Sequence, residues 1–315
     1  VIGELNVDLI AAGLKRAPRL GMEIEARTFE MVLGSASAIF ASGLCRLGHP
    51  VSFVGKVGDD YFGELCRSEL SARGIDTSRV RTAPGVSTGV TLCLSTKRDR
   101  AQVTYLGAIA ELRYSDLPAN VFDGFAHLHL SCFALQKGLR PAFAKLLSAA
   151  KRRGLSTSFD PNSTLIGETR KQALKLLGHV DVLFLNELEA AQLTGKRSAE
   201  SAARELSTRV TRAVVKLGRK GALACRNGVV LSVPGKRIRA LDTTGAGDSF
   251  AAGYISAFLE EQSEIECLTQ ANACGALSTQ AVGGTAAQPN QAELRQFLLL
   301  GPGSQRAPTQ ARKHP

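Results

Sequence analysis

One stretch of this chain has residue types and spacing suited to chemistry: Asp242-Thr243-Thr244-Gly245-Ala246-Gly247-Asp248-Ser249-Phe250. Two glycines flank an alanine, a carboxylate follows at once, and an alanine-rich apolar segment runs on to about Leu259. The pattern reads as a tight turn opening a helix, whose first N–H groups lack intrahelical acceptors and lie at the positive end of the helix dipole. With no side chain on Gly245 and Gly247, an anion can approach the backbone closely. Asp248 would then stand beside that anion, able to take a proton from an attacking hydroxyl, which is the layout phosphoryl transfer needs. An ordinary loop-to-helix turn fits the same letters, so the rest of the chain must separate the two readings.

The elements that would position this turn are legible around it. Val1 to Ile10 begins as a strand, with Glu4, Asn6 and Asp8 alternating onto one face. They could line a polar ligand site or a solvent-facing edge. A short strand is read over Glu25 to Leu33. Small residues from Gly34 then lead into a helix stopped by Gly48, and Val51 to Val54 resumes a strand. Gly55-Lys56-Val57-Gly58-Asp59-Asp60 reads as a turn into a helix ending near Arg73. Val86 to Leu94 and Ala101 to Leu106, joined by the charged turn at residues 96–100, read as a hairpin. With the strand near 25–33 they suggest a small antiparallel sheet apart from the main body.

From residue 125 strands alternate with helices: strands near 126–130, 155–159, 182–185 and 213–216, helices near 141–153, 168–177, from 186, and 198–206. Repeated βα units predict a mostly parallel sheet covered on both faces, with ligands beyond the carboxyl ends of its strands. Asp160, Asn162, Asn186 and Glu189 all follow strands on that side. Gly218-Arg219-Lys220-Gly221 is too short for a helix and reads as a hairpin turn. Residues 264 to 281 read as a helix carrying Asn272, followed by Gly283-Gly284-Thr285, and residues 301–315 as a mobile tail.

Composition narrows the class. The 315 residues are 44% hydrophobic and 21% charged, a globular balance. No apolar run approaches the roughly 20 residues of a membrane span, and no signal peptide is read at the start. Seven scattered cysteines without C-x-x-C indicate neither a disulfide framework nor a zinc site, and a reducing cytoplasm is expected. The formal charge of +11 is dispersed, tryptophan is absent, and no basic stripe interleaves with aromatics. Nucleic-acid binding is therefore not the reading, and a general pull on anionic substrates is.

The stretches 34–48, 218–221 and 242–250, in this order and at these separations, resemble the PfkB or ribokinase-like family of sugar and nucleoside kinases over about residues 1 to 300. Residues 242–250 match the signature D-T-x-G-A-G-D-x-F almost completely, and residues 55–63 are also similar to a family segment. The resemblance implies one α/β domain over 1–300, a ribokinase-like, mostly parallel sheet with helices on both faces and a small antiparallel β-sheet lid from about 12–33 and 86–108. It implies ATP- and Mg2+-dependent phosphorylation of a hydroxyl, usually a primary alcohol, on a sugar or sugar-like molecule. Asp248 matches the catalytic base, and Gly245, Ala246 and Gly247 the anion hole. Asn186 and Glu189 match an N-x-x-E motif placing phosphates and magnesium, partly through water. Lys216, Gly218, Gly221 and Asn272 match nucleotide-side positions. Asp242 and Thr244, with the loop at 281–285, match a region where many members bind a monovalent cation such as potassium. Asn6, Asp8 and Gly34 match substrate-side positions, which Ser35 and Ile39 adjoin. There the chain departs from the family: Ser35 stands for a second glycine, Ile39 for an Asn that bonds substrate hydroxyls, and Thr164 for an Arg carried by many sugar kinases. The phosphate-moving half of the site is present, while the acceptor is left open.

Other classes fare worse. There is no P-loop G-x-x-x-x-G-K-[ST] and no nucleophile elbow, and G-A-G lies too late, with Phe250 where a dinucleotide fingerprint needs glycine. A nucleoside kinase, or a non-catalytic sugar- or nucleotide-binding protein that kept the fold, remains the alternative. A lid sheet with an exposed face could pair with a second copy.

Overall fold

The two hydrophobic periods of this sequence, two in the strands and three to four in the helices, sort the chain into two sheets and their covering helices. The computed structural model describes residues 1–96, 100–162 and 165–299. The turn residues 97–99, Thr164 and the tail at 301–315 lie outside them. In chain order the first half holds β1 (Asn6–Leu14), β2 (Thr28–Leu33), α1 (Ala36–Arg46), β3 (Ser52–Gly58), α2 (Tyr61–Ala72), β4 (Asp76–Ala83), β5 (Gly89–Thr96) and β6 (Arg100–Tyr105). The second holds β7 (His127–Ser131), α3 (Phe143–Arg152), β8 (Ser156–Asp160), α4 (Gly167–Leu176), β9 (Val182–Asn186), α5 (Glu187–Thr194) and α6 (Ala199–Leu206). It closes with β10 (Arg212–Lys216), β11 (Gly221–Arg226), β12 (Val229–Pro234), α7 (Ala246–Leu259), α8 (Glu264–Ser278) and α9 (Gln291–Leu299).

The large sheet runs β12-β11-β10-β9-β8-β7, and Ile2 bridges it in parallel through Leu130 on one side and Val54 on the other to the pair β3-β4. Its pairs are parallel from β10 through β7, while β11 and β12 return antiparallel at the edge. Both faces are dry. Leu183 and Leu185 of β9 pack in one core with Leu146, Leu176, Leu193 and Leu206 of α3 to α6. Val182 and Phe184 of the same strand pack in the other core with Phe40, Leu70, Phe250, Tyr254 and Leu268 of α1, α2, α7 and α8. A strand buried on both sides has no polar face, which is why β9 and β10 read as apolar runs. Each fully buried Leu or Phe here contributes about 1.5–3 kcal/mol.

Three sequence expectations change. The opening segment is not one continuous strand: Ile2 makes bridges in the main sheet, and from Asn6 the chain crosses to the small sheet as β1. Glu4, Asn6 and Asp8 do not form a solvent edge, being only 2%, 5% and 6% exposed. The small sheet, ordered β2-β1-β5-β6, therefore starts at residue 6 rather than near 12, and its central pair β1-β5 is parallel between two antiparallel ones. Finally, residues 55–58 continue β3 instead of turning. A Cβ on Gly58 would lie 2.3 Å from the Val86 carbonyl oxygen, so glycine marks close backbone approach within a strand. The polar strand β4 buries only Val80 and Ala83, and it escapes detection because an edge strand needs no apolar run.

Candidate active site

Parallel strands end together, and their last residues are brought into register at one rim: Ser131 pairs with Asp160, and Asn186 with Lys216. Above this rim α7 begins. Gly245 is its N-cap, in the left-handed region at φ 70°, and a Cβ there would sit 2.7 Å from the Gly284 Cα and 2.9 Å from Ile39. Only glycine fits that corner. The first bond the helix closes is Ser249 N–H to the Gly245 oxygen (2.9 Å), which leaves the amides of Gly247 and Asp248 without intrahelical acceptors.

Asp248 occupies the first turn of α7. Its Oδ1 accepts a hydrogen bond from Asn162 Nδ2 at 2.8 Å. Burial, then the charge of Asp160, push its pKa up to about 7, against the pull of Lys216 and the Asn162 bond. Lys216 donates to Asp160 Oδ2 at 2.5 Å, and the two side chains are 13% and 1% exposed. Burial alone would lower the lysine pKa, but the carboxylates of Asp160, Glu189 and Asp248 outweigh it and raise it. The ammonium is therefore charged, and it lies beside the turn: a Cβ on Gly247 would be 3.3 Å from Nζ. A fixed positive charge next to open helix amides can receive an anion.

A pocket of about 540 Å³ opens on the same turn, lined by Lys216, Gly218, Gly221, Ala246, Gly247 and Asn272 among others. Six residues singled out from three distant stretches thus meet in one cavity. Gly221, at φ 106°, lets the turn run against β12. Asn272 Nδ2 donates to the Val233 carbonyl oxygen at 3.1 Å, tying α8 to the pocket wall. Asn186 and Glu189 form a capping box on α5, the Asn oxygen accepting from Glu189 N–H and Glu189 Oε2 from Asn186 N–H, both at 2.8 Å. Their spacing therefore has a structural cause as well.

A model of the pfkB family carbohydrate kinases matches residues 1–291. The chain belongs to this family. The 2-dehydro-3-deoxygluconokinase of Bacillus subtilis (strain 168) is 32% identical over 291 residues, 87% of this chain and 89% of its own. Fructokinase-1 of Zea mays is 29% identical over 319 residues, covering 94% of this chain and 96% of its own. The fructokinase of Vibrio cholerae O395, solved with fructose, ADP and calcium, superposes with a TM-score of 0.80 at 29% identity, over 94% of this chain and 97% of that one. A double mutant of it, with fructose, ADP and potassium, gives 0.79 at 28%. The fold is that of these ribokinase-like proteins, and this protein is a sugar kinase.

At the residues expected to face the acceptor, the kinase has a tight polar cluster on its small sheet. Asn6 Nδ2 donates to Asp8 Oδ1 (2.8 Å) and Thr91 Oγ1 (3.1 Å) across the lid sheet. A Cβ on Gly34 would fall 2.2 Å from Asp8 Oδ1 and 2.5 Å from Asn6 Nδ2, so this glycine is what lets both polar groups lie flat. Burial raises the Asp8 pKa to about 6, against its bond from Asn6 and the charge of Arg100. Ser35 is the N-cap of α1 in a left-handed conformation (φ 71°), which accounts for the family's glycine there. Its hydroxyl accepts from Ala38 N–H (2.9 Å) and donates to the Glu4 backbone oxygen (2.6 Å), so it is held by the protein. Ile39, 3% exposed, packs against Gly245 and Gly284 as an apolar wall. Asp242 and Thr244 form the turn entering α7: Asp242 Oδ1 accepts from Thr244 N–H and Oγ1–H (2.9 and 2.8 Å), and Oδ2 from Gly283 N–H (2.9 Å).

Sequence reasoning noted Asp160 and Asn162 only as residues beyond strands. The signal was their place at the end of β8, beside the strand that ends in Asn186. Arg100 of β6, which donates to Thr244 Oγ1 at 2.8 Å, had no signal at all.

Proposed function

We propose that this kinase moves the γ-phosphoryl group of ATP onto a hydroxyl of a sugar or sugar-like small molecule. Asp248 is the general base, and the amides around Gly245, Ala246 and Gly247 are the anion hole. The observation that carries the reading is the placement of Asp248 directly after the residues that line the pocket, held by Asn162 and beside the charged Lys216. Asn162 fixes one carboxylate oxygen and leaves the other to receive the acceptor proton. As that proton moves to Asp248, the acceptor oxygen bonds to the γ-phosphorus in line and the bond to the ADP oxygen breaks. Charge developing on the transferring group faces the open amides of α7 and the Lys216 ammonium.

The nucleotide lies in the pocket between Gly218, Gly221 and Asn272, whose volume and glycine-lined wall suit it; the Vibrio fructokinase of the same fold was solved with ADP. Magnesium supplies positive charge to the phosphate oxygens, and Glu189 would hold it through water. Glu189 suits this by its charge, which acts on Lys216 beside the pocket, while its Oε2 is held by the Asn186 N–H. The acceptor lies against Asn6, Asp8 and Gly34, on the inner face of the small sheet that acts as a lid. The seven free thiols suit a reducing cytoplasm. No described helix is long and apolar enough to cross a membrane.

An ATP-consumption screen over sugars, sugar acids, sugar phosphates and nucleosides, with magnesium and potassium present, tests the reading. Turnover with a sugar or sugar acid is expected. Turnover with nucleosides alone would make the protein a nucleoside kinase, and binding without turnover across the panel would leave only a ligand-binding protein.

The lid's outer face carries Phe29, Met31, Leu92, Val103 and Tyr105, from 39% to 64% exposed. Leu9 lies between Met31 and Leu92 in the register, and Leu92 beside Val103, so the row is continuous across four strands. Such a face favours a second copy of this chain as its cover. Sedimentation should show a dimer that Val103→Glu splits, and a monomer at micromolar concentration would refute the pairing.

A further inference from the structure

Asp242 and Thr244 stand where the family resemblance implies a monovalent cation, and the residues found there already meet a positive charge. Arg100, the first residue of β6 in the lid, reaches to the turn that opens α7. Its Nη1 donates to Thr244 Oγ1 at 2.8 Å and lies 4.0 Å from Asp242 Oδ1. Both Asp242 oxygens meanwhile accept bonds from Thr244 and Gly283. A guanidinium keeps its charge at any working pH and offers several donors in one plane, so it can neutralise a carboxylate and hold a hydroxyl at once. A potassium ion brought to the same carboxylate would lie within a few ångström of that charge and be repelled by it. The same guanidinium acts on Asp8, on the acceptor face of the lid. One side chain therefore joins the lid, the acceptor floor and the phosphate-binding turn.

We propose that Arg100 is a positioning residue that serves as a tethered cation, holding the turn from Asp242 to Gly247 from the lid side in the place of a monovalent ion. A tethered charge differs from a free one in that it arrives with the lid, so the turn is ordered by lid closure rather than by the potassium concentration. The inference rests on the reading of residues 242–248 as the phosphoryl-binding turn, but its first test needs neither acceptor nor turnover.

Thermal unfolding of the full chain is compared in potassium chloride and tetramethylammonium chloride at equal ionic strength. The wild-type midpoint should be the same in both salts. Arg100→Met should unfold about 2–4 °C higher in potassium, because an ion that binds only the folded state raises its midpoint. Arg100→Lys, which keeps the charge, should behave as wild type. If Arg100→Met does not fold, Arg100→Gln carries the same expectation. With the acceptor found by screening, potassium should raise kcat of Arg100→Met by about fivefold or more and leave that of wild type unchanged. A potassium-specific rise in the wild-type midpoint or kcat, or a neutral variant blind to potassium, would overturn the proposal. Absence of any wild-type turnover would undo the kinase mechanism instead and leave the thermal comparison standing.

Discussion

Asp248→Asn is expected to lower kcat by about 100- to 10,000-fold, the usual range for loss of a general base, while nucleotide binding stays near wild type. The substitution keeps the shape and one hydrogen-bonding oxygen but removes the lone pair that receives the acceptor proton. The pH profile supplies the second half of the argument. With its pKa pushed up to about 7 by burial and by Asp160, Asp248 is protonated below that pH and cannot act as a base. kcat/KM of the wild type should therefore climb as pH rises toward about 7 and then level. The variant's residual activity should lack this limb. Steady-state kinetics across pH 5 to 9, with nucleotide affinity by calorimetry, reads both. Wild-type-like turnover of the Asn variant would sink the assignment of Asp248.

Lys216→Met is expected to have the largest effect on stability. Lys216 is the charged partner of Asp160, which is 1% exposed and bonded to it at 2.5 Å. Removing one member of a buried pair typically costs about 3–5 kcal/mol, because the other is left as an uncompensated charge. Here the loss is compounded, since Glu189 and Asp248 also face the ammonium. Urea unfolding should show the full loss at neutral pH. The double variant Asp160→Asn, Lys216→Met should recover a large part of it, since it removes the stranded charge along with its partner. The double variant should still bind ATP weakly, because the positive charge beside Gly247 is gone. A single variant as stable as wild type would show that the pair is not the buried interaction described above.

The two expectations draw on different parts of the molecule, and the sequence spoke to them unequally. Asp248 is one residue beyond a glycine-alanine-glycine turn, and Lys216 lies at the end of an apolar strand. Asp248 was readable because local chain geometry, a helix start, places it whatever else the fold does, whereas the strand end gave only the place of Lys216 and the family resemblance gave its role. Asn162 and Asp160 complete the site, yet each is 50 or more residues from its partner. No local rule pairs β8 with β10 through β9. The same holds for Gly34, whose missing side chain matters only because Asp8 and Asn6 from another strand lie against it.

By itself, the sequence determined the α/β class, the two-sided burial of the main sheet, the kinase signature and the glycine-rich turns that meet in one pocket, while Lys216 and Asn272 of that pocket were singled out only through the family resemblance. The class, the burial, the signature and the turns follow from periodicity, from turn chemistry and from contiguous motifs, all of which act over a few residues. Only the tertiary structure decided that β1 belongs to the lid, that Glu4, Asn6 and Asp8 are buried, that Ser35 is a cap and Ile39 a wall, and that Arg100 reaches the turn before α7. Each of these depends on which strand lies beside which, and that is settled by packing between distant segments rather than by the preference of any one.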